Sequence, residues 1–118
     1  RTDSSAASDV YKRQVEVDDV DKFDLDKFSV NARKLDIFSK GINIEIFSVV
    51  ERKFIYARVN ERGVGETDAC GSGALALFTY LREINKVDDD AVVLYPGGEL
   101  ELSYEKEKLY LKGEVTYL

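Results

Sequence analysis

The amino-acid sequence predicts an α+β domain: largely antiparallel strands wrapped as a barrel-like roll around one central apolar helix, with an amphipathic helix outside. Three observations carry this reading. Apolar residues alternate through Ile42–Val50, Phe54–Asn60 and Leu100–Tyr104, the period of half-buried strands. The segment Ala74–Ile84 is rich in helix formers and apolar nearly all round, which calls for burial. Strands and helices do not alternate in a regular series, so a doubly wound parallel sheet fits badly.

Val15-Glu16-Val17 reads as the end of a strand that runs into an acidic loop. From Asp24, a candidate N-cap, Leu25, Phe28, Ala32 and Leu35 recur at three- and four-residue steps, and Gly41 marks the helix exit. Ile42, Ile44 and Ile46 share one face of the next strand, and Ile55, Ala57 and Val59 share a face of the one after. Charged Glu51-Arg52-Lys53 joins the two as a β-hairpin. Beyond the apolar helix, Asp88–Asp90 is a solvated loop, Val92–Tyr95 a short strand, and Pro96-Gly97-Gly98 a turn. Leu100, Leu102 and Tyr104 face the core of a further strand, and Glu105–Lys108 turns into a last strand pair around Leu109–Leu118.

Residues 1–14 stand apart. They are polar and without period, and Asp9–Gln14 resembles the direct translation of a transposon end used in sequencing-library preparation. We expect them to be such a scar or a disordered arm, with the domain proper at 15–118. Removing three cations (Arg1, Lys12, Arg13) and two anions (Asp3, Asp9) takes the net charge from −6 to −7.

Composition narrows the chemistry. An acidic balance argues against nucleic acid or an anionic membrane as partner. No run approaches the ~18 apolar residues of a membrane span, and no signal peptide is visible. A single Cys cannot form an internal disulfide, which points to a reducing cytoplasm. The chain has no His, so Ser-His, Cys-His and His-metal chemistry are excluded within it, and with one Cys so are the usual zinc sites. Carboxylates, Lys, Tyr and the thiol are left to move protons.

The concentrated signal is the thirteen-residue stretch Glu61–Gly73, which holds Gly63, Gly65, Gly71 and Gly73 and opens directly into the apolar helix. Glycines at this density make tight turns and bring backbone close to a ligand. Cys70 falls at the helix entrance, where outward N–H groups and the helix dipole favour a thiolate. The amides of Gly71 and Ser72 at the same tip form a seat for a carboxylate or phosphate. A thiolate beside an anchored carboxylate suits removal of the proton from the neighbouring carbon, with backbone donors holding the resulting oxyanion. Taken singly, these features are weak. A lone Cys is more often a small buried hydrophobe, by roughly three to one, and no GxxxxGK[ST] makes this a P-loop. Their coincidence at one helix tip shifts the balance.

Glu61-Arg62-Gly63-x-Gly65-Glu66-Thr67-x-x-Cys70-Gly71-Ser72-Gly73 resembles the C-terminal signature of the diaminopimelate epimerase family. Val17-Asp18-Asp19-Val20, Gly41-Ile42-Asn43-Ile44 and Leu94-Tyr95-Pro96-Gly97-Gly98-Glu99-Leu100 match it in order. The resemblance covers residues 15–118 and only the second of the family's two pseudo-symmetric domains. It implies a helix enclosed by a strand barrel and cofactor-free, metal-free epimerisation of LL- to meso-diaminopimelate by two opposed cysteines, toward lysine and peptidoglycan. By the same resemblance Cys70 is one catalytic cysteine, and Gly71 and Ser72 hold the reacting carboxylate. Arg62 recognises the far end of the substrate, Asn43 contributes an amide, and Glu61 contacts substrate and modulates the thiol pKa. Glu66 and Thr67 are expected to shape the loop. Ser39 departs from the Pro common in relatives. The first-domain cysteine is absent, so the resemblance implies an N-terminal domain as partner, a fragment inactive alone, and possible homodimers.

Rival readings stay open. Proline racemases share the two-domain plan but not the Glu-Arg-Gly-Val-Gly-Glu-Thr lead-in, and phenazine-biosynthesis-like isomerases lack the thiols. A non-catalytic anion-binding domain, or a degenerate structural one, would leave Cys70 inert.

Overall fold

The computed structural model describes residues 11–34 and 42–115, with side chains over 13–34 and 42–112. Its elements are β1 (Tyr11–Glu16), α1 (Leu25–Arg33), β2 (Ile42–Glu51), β3 (Phe54–Glu61), β4 (Gly65–Thr67), α2 (Gly71–Glu83), β5 (Asp90–Tyr95), β6 (Gly98–Glu105) and β7 (Lys108–Val115). The strands form one seven-stranded sheet in the order β1-β2-β3-β5-β6-β7, with β4 paired to β3. Most neighbours are antiparallel, as expected, but β1–β2 and β3–β5 are parallel.

Both parallel pairs follow from the helices. Parallel neighbours need a crossover, and α1 lies between β1 and β2 in sequence as α2 lies between β3 and β5. The Asp24 carboxylate caps α1 by accepting from the Lys27 amide at 3.0 Å. Leu25 packs with Val20, Ile42, Ile44 and Ile46, while Val15, Val17, Phe23, Phe28 and Ala32 cover them. The predicted helix residue Leu35, the exit Gly41 and Ser39 lie outside the described residues.

The second core lies across the sheet. Ala74, Leu77, Phe78 and Leu81 of α2 pack against Phe47, the row Ile55-Ala57-Val59, and Ala91, Val93, Tyr95, Leu100 and Leu102. β2 is therefore covered on both faces, isoleucines toward one cluster and Phe47 toward the other. The expectation of an enclosed central helix needs correction. Tyr80 of α2 and Ile84 at its end are exposed, and the sheet ends at β1 and β7 without closing among the described residues. One apolar stripe is enough to seat α2 on an open sheet, so its evenly apolar composition overstated its burial.

Local chemistry fixes the ends. After α2, Asn85 adopts the left-handed conformation (φ 61°). The Asn85 and Lys86 amides donate back to the Arg82 and Leu81 carbonyls at 3.0 and 2.8 Å, a Schellman stop. Arg52, in the β2–β3 turn, donates to Asp88 Oδ1 at 2.6 Å and to Asn85 Oδ1 at 2.8 Å, tying that hairpin to the loop entering β5. No helix among the described residues is long and apolar enough to cross a membrane.

Candidate active site

The signature loop is a second small hairpin. β4 pairs back onto the end of β3, with Asn60 opposite Glu66 and Glu61 opposite Gly65. Gly63 and Gly65 carry the turn at φ 75° and 95°, values that L-residues with side chains rarely adopt. The sequence had read this stretch only as loop; three residues of strand are too short for periodicity to show.

Arg58 fixes this hairpin from below. Its guanidinium makes two bonds to the Glu66 carboxylate, at 2.7 and 2.8 Å, and donates to the Val20 and Phe23 carbonyls at 2.7 and 3.0 Å. One side chain thus joins the acidic loop before α1 to the signature loop. Thr67 Oγ1 donates to Glu61 Oε2 at 3.1 Å, so Glu66 and Thr67 do shape the loop. Arg58→Ala would strip both carbonyls and a carboxylate of a charged donor; we expect a loss of about 2–3 kcal/mol in stability, read as a lower urea midpoint. An unchanged midpoint would show that the bridge contributes nothing.

Cys70 caps α2. Its backbone is extended (φ −147°, ψ 106°), its Sγ accepts from the Gly73 amide at 3.3 Å, and its carbonyl accepts from the Ala74 amide at 2.9 Å. Ser72 Oγ lies 3.5 Å from the sulfur. No acidic residue stands in the first turn, so no side chain of that turn offsets the field of the helix tip. Gly71 and Ser72 are the first two helical residues, whose amides lie outside the intrahelical ladder. Cys70 is half-buried, packed against the second core on one side and lining a small cleft on the other.

The other predicted residues gather unevenly. Asn43 lines the same cleft as Cys70 and Gly73, and its Oδ1 accepts from the Arg62 amide at 2.7 Å, clamping the turn. Glu61 is half-buried at the end of β3, and Arg62 is exposed in the β3–β4 turn. The cleft itself has a volume of only about 10 Å³, against the ~300 Å³ or more of a small-molecule pocket. Larger concavities lie elsewhere, one around Arg52, Arg82 and Asp88–Asp90.

Two neighbours of Cys70 escaped the sequence reading. Glu45, on β2, is buried and lines the cleft; in the run Ile44-Glu45-Ile46 it reads as a solvent-facing residue. Tyr95 donates its phenol to Glu45 Oε2. Burial first, and the adjacent carboxylate second, keep that phenol protonated far above the ordinary tyrosine range. Gly97 is the third missed position: its amide donates to the Asp68 carbonyl at 2.9 Å, in close contact with the link between β4 and the helix tip.

The fold and site define an α+β domain: a mixed sheet crossed by a helix that carries a cysteine at its amide-rich tip. Comparison with known proteins places it further: residues 13–118 match the diaminopimelate epimerase family, and the chain belongs to that family. The match begins at Arg13, inside β1, just ahead of the domain start read at residue 15. The diaminopimelate epimerase of Xanthomonas euvesicatoria pv. vesicatoria is 34% identical over 106 residues, covering 88% of this chain and 37% of that protein. That of Clostridium perfringens is 32% identical over 85 residues, covering 72% and 31%. The chain therefore spans about a third of the length of these relatives. Among solved structures, a Bacillus anthracis phenazine biosynthesis protein of the PhzF family is similar with a TM-score of 0.56 at 19% identity. It covers 83% of this chain and 33% of that one, a likeness of fold alone.

Proposed function

We propose that this chain supplies one half of a cofactor-independent epimerase that converts LL-diaminopimelate to meso-diaminopimelate. The observation that carries the reading is the position of Cys70 as N-cap of α2, its sulfur at a cleft and held by a helix-tip amide. In this reading the α-carboxylate sits on the amides of Gly71 and Ser72 beside the thiol. One cysteine, as thiolate, takes the α-proton from its face. The charge left behind spreads onto the carboxylate oxygens and is met by those amides. A second thiol on the opposite face delivers a proton to the same carbon, inverting it; no electron is gained or lost. Asn43 and Glu61 line the substrate from the hairpins, and the exposed guanidinium of Arg62 matches the bidentate geometry of the distal carboxylate.

The chain contains one Cys, and one thiol cannot stand on both faces of a carbon. The second thiol and the rest of the pocket belong, on this reading, to an N-terminal domain. Incubating LL-diaminopimelate in D₂O with the purified chain is expected to give no α-deuteration, and with an enzyme joining it to such a domain, ready exchange. Turnover by the chain alone would refute the two-face requirement.

A further inference from the structure

Glu45 is the one charged residue that is buried among the described residues, and it sits beside the proposed reacting thiol. A Cβ placed on Gly73 would stand 3.0 Å from Glu45 Oε1 and 3.3 Å from Cys70 Sγ. Carboxylate and sulfur thus border a single gap that exists because Gly73 has no side chain. That geometry keeps them within the roughly 4–6 Å over which one charge governs another's ionisation. The second carboxylate oxygen accepts from the Tyr95 phenol, whose oxygen also lies 3.3 Å from the Cys70 carbonyl. Tyr95 therefore holds both the acid and the backbone of the cap.

We propose that Glu45 is a positioning residue which, anchored by Tyr95, titrates as a coupled pair with Cys70 and so sets the pH at which the sulfur becomes a thiolate. The inference rests on the reading of Cys70 as the reacting thiol. A negative charge on Glu45 opposes the helix-tip field at the sulfur, so ionising either acid makes ionising the other harder. Other groups bear on the pair from each packed element. Arg13 and Gln14 of β1 and Asn43 of β2 line the cleft, the Glu61 carboxylate of β3 acts on Tyr95, and Ser72 touches the sulfur from α2. Arg13 is exposed. Because the Tyr95 phenol stays protonated through the range in which thiols ionise, it remains a donor to Glu45 throughout.

With a single cysteine in the chain, iodoacetamide reports on Cys70 alone. The rate of alkylation against pH is expected to shift down by about one pH unit or more in Glu45→Gln, with roughly tenfold faster reaction at neutral pH. An unmoved or upward-shifted profile overturns the proposal. Should Glu45→Gln fail to fold by circular dichroism, the unaltered chain decides. The ¹³C titration curve of the Glu45 carboxyl should then show a second inflection where Cys70 ionises, and lose it after alkylation; a single step indifferent to alkylation overturns the coupling. If coupling is found but Cys70→Ser in the complete enzyme keeps full exchange, the functional reading fails and the coupling stands.

Discussion

Cys70→Ser, placed in an enzyme that contains both halves of the site, is expected to slow α-proton exchange by roughly 10³-fold or more while leaving the domain as stable as before. The two halves of that expectation come from different properties of one side chain. As a cap, Cys70 accepts from the Gly73 amide, and serine is among the preferred N-caps, so the helix start keeps its partner. As an acid and base the two differ greatly: a thiol ionises near neutral pH, and a hydroxyl does not. A residue present only for packing would show the reverse, with exchange retained and any loss confined to stability. Thermal unfolding and deuterium exchange measured on one preparation separate the two.

Gly97→Ala is expected to damage both stability and activity, from a position that touches no substrate. A Cβ at Gly97 would stand 2.4 Å from Asp68 Cβ and 3.0 Å from the Asp68 carbonyl oxygen, and backbone cannot swing aside as a long side chain can. The β5–β6 turn or the Asp68-Ala69-Cys70 segment must then move, and the bond from the Gly97 amide to the Asp68 carbonyl is strained or lost. Overpacking and the lost bond together should cost about 3 kcal/mol, a fall of roughly 10 °C or more in the unfolding midpoint. Because the displaced segment ends at Cys70, a shift near 1 Å would lower exchange by roughly 10²-fold in the complete enzyme. Alanine at Gly63, where a Cβ meets open space, is the contrast: it strains the turn through its positive φ without reaching the cap. Equal effects at the two glycines would contradict the account.

Where the sequence was informative, the signal was local. Asp24 ahead of a three- and four-residue apolar rhythm, the charged turn at Arg52-Lys53, and the start of α2 after Cys70 each depend on neighbours within a few residues. What stayed hidden depends on partners far along the chain. Strand alternation has the same period in parallel and antiparallel pairs, so the β1–β2 and β3–β5 pairings left no mark of their own. Glu45 looked solvent-facing because its neighbours Ile44 and Ile46 claim one face; helices on both sides of β2 then buried the other. Gly97 passed for a turn residue, since nothing near it in sequence discloses the approach of Asp68. The site was legible in its motif residues, which one loop delivers together, and illegible in the residues that β2, β5 and the β5–β6 turn bring from elsewhere.

The most direct measurement treats the complete enzyme with an aziridine analogue of diaminopimelate and maps the modified peptides by mass spectrometry. A thiolate that attacks the ring methylene, which stands where the α-hydrogen would, forms an S–C bond as the methylene–nitrogen bond breaks to free the amine. The adduct so marks whichever sulfur faces that side of the α-carbon. The account predicts an adduct on the Cys70 sulfur, prevented by excess diaminopimelate. Inactivation by both stereoisomers with neither marking Cys70 would contradict it.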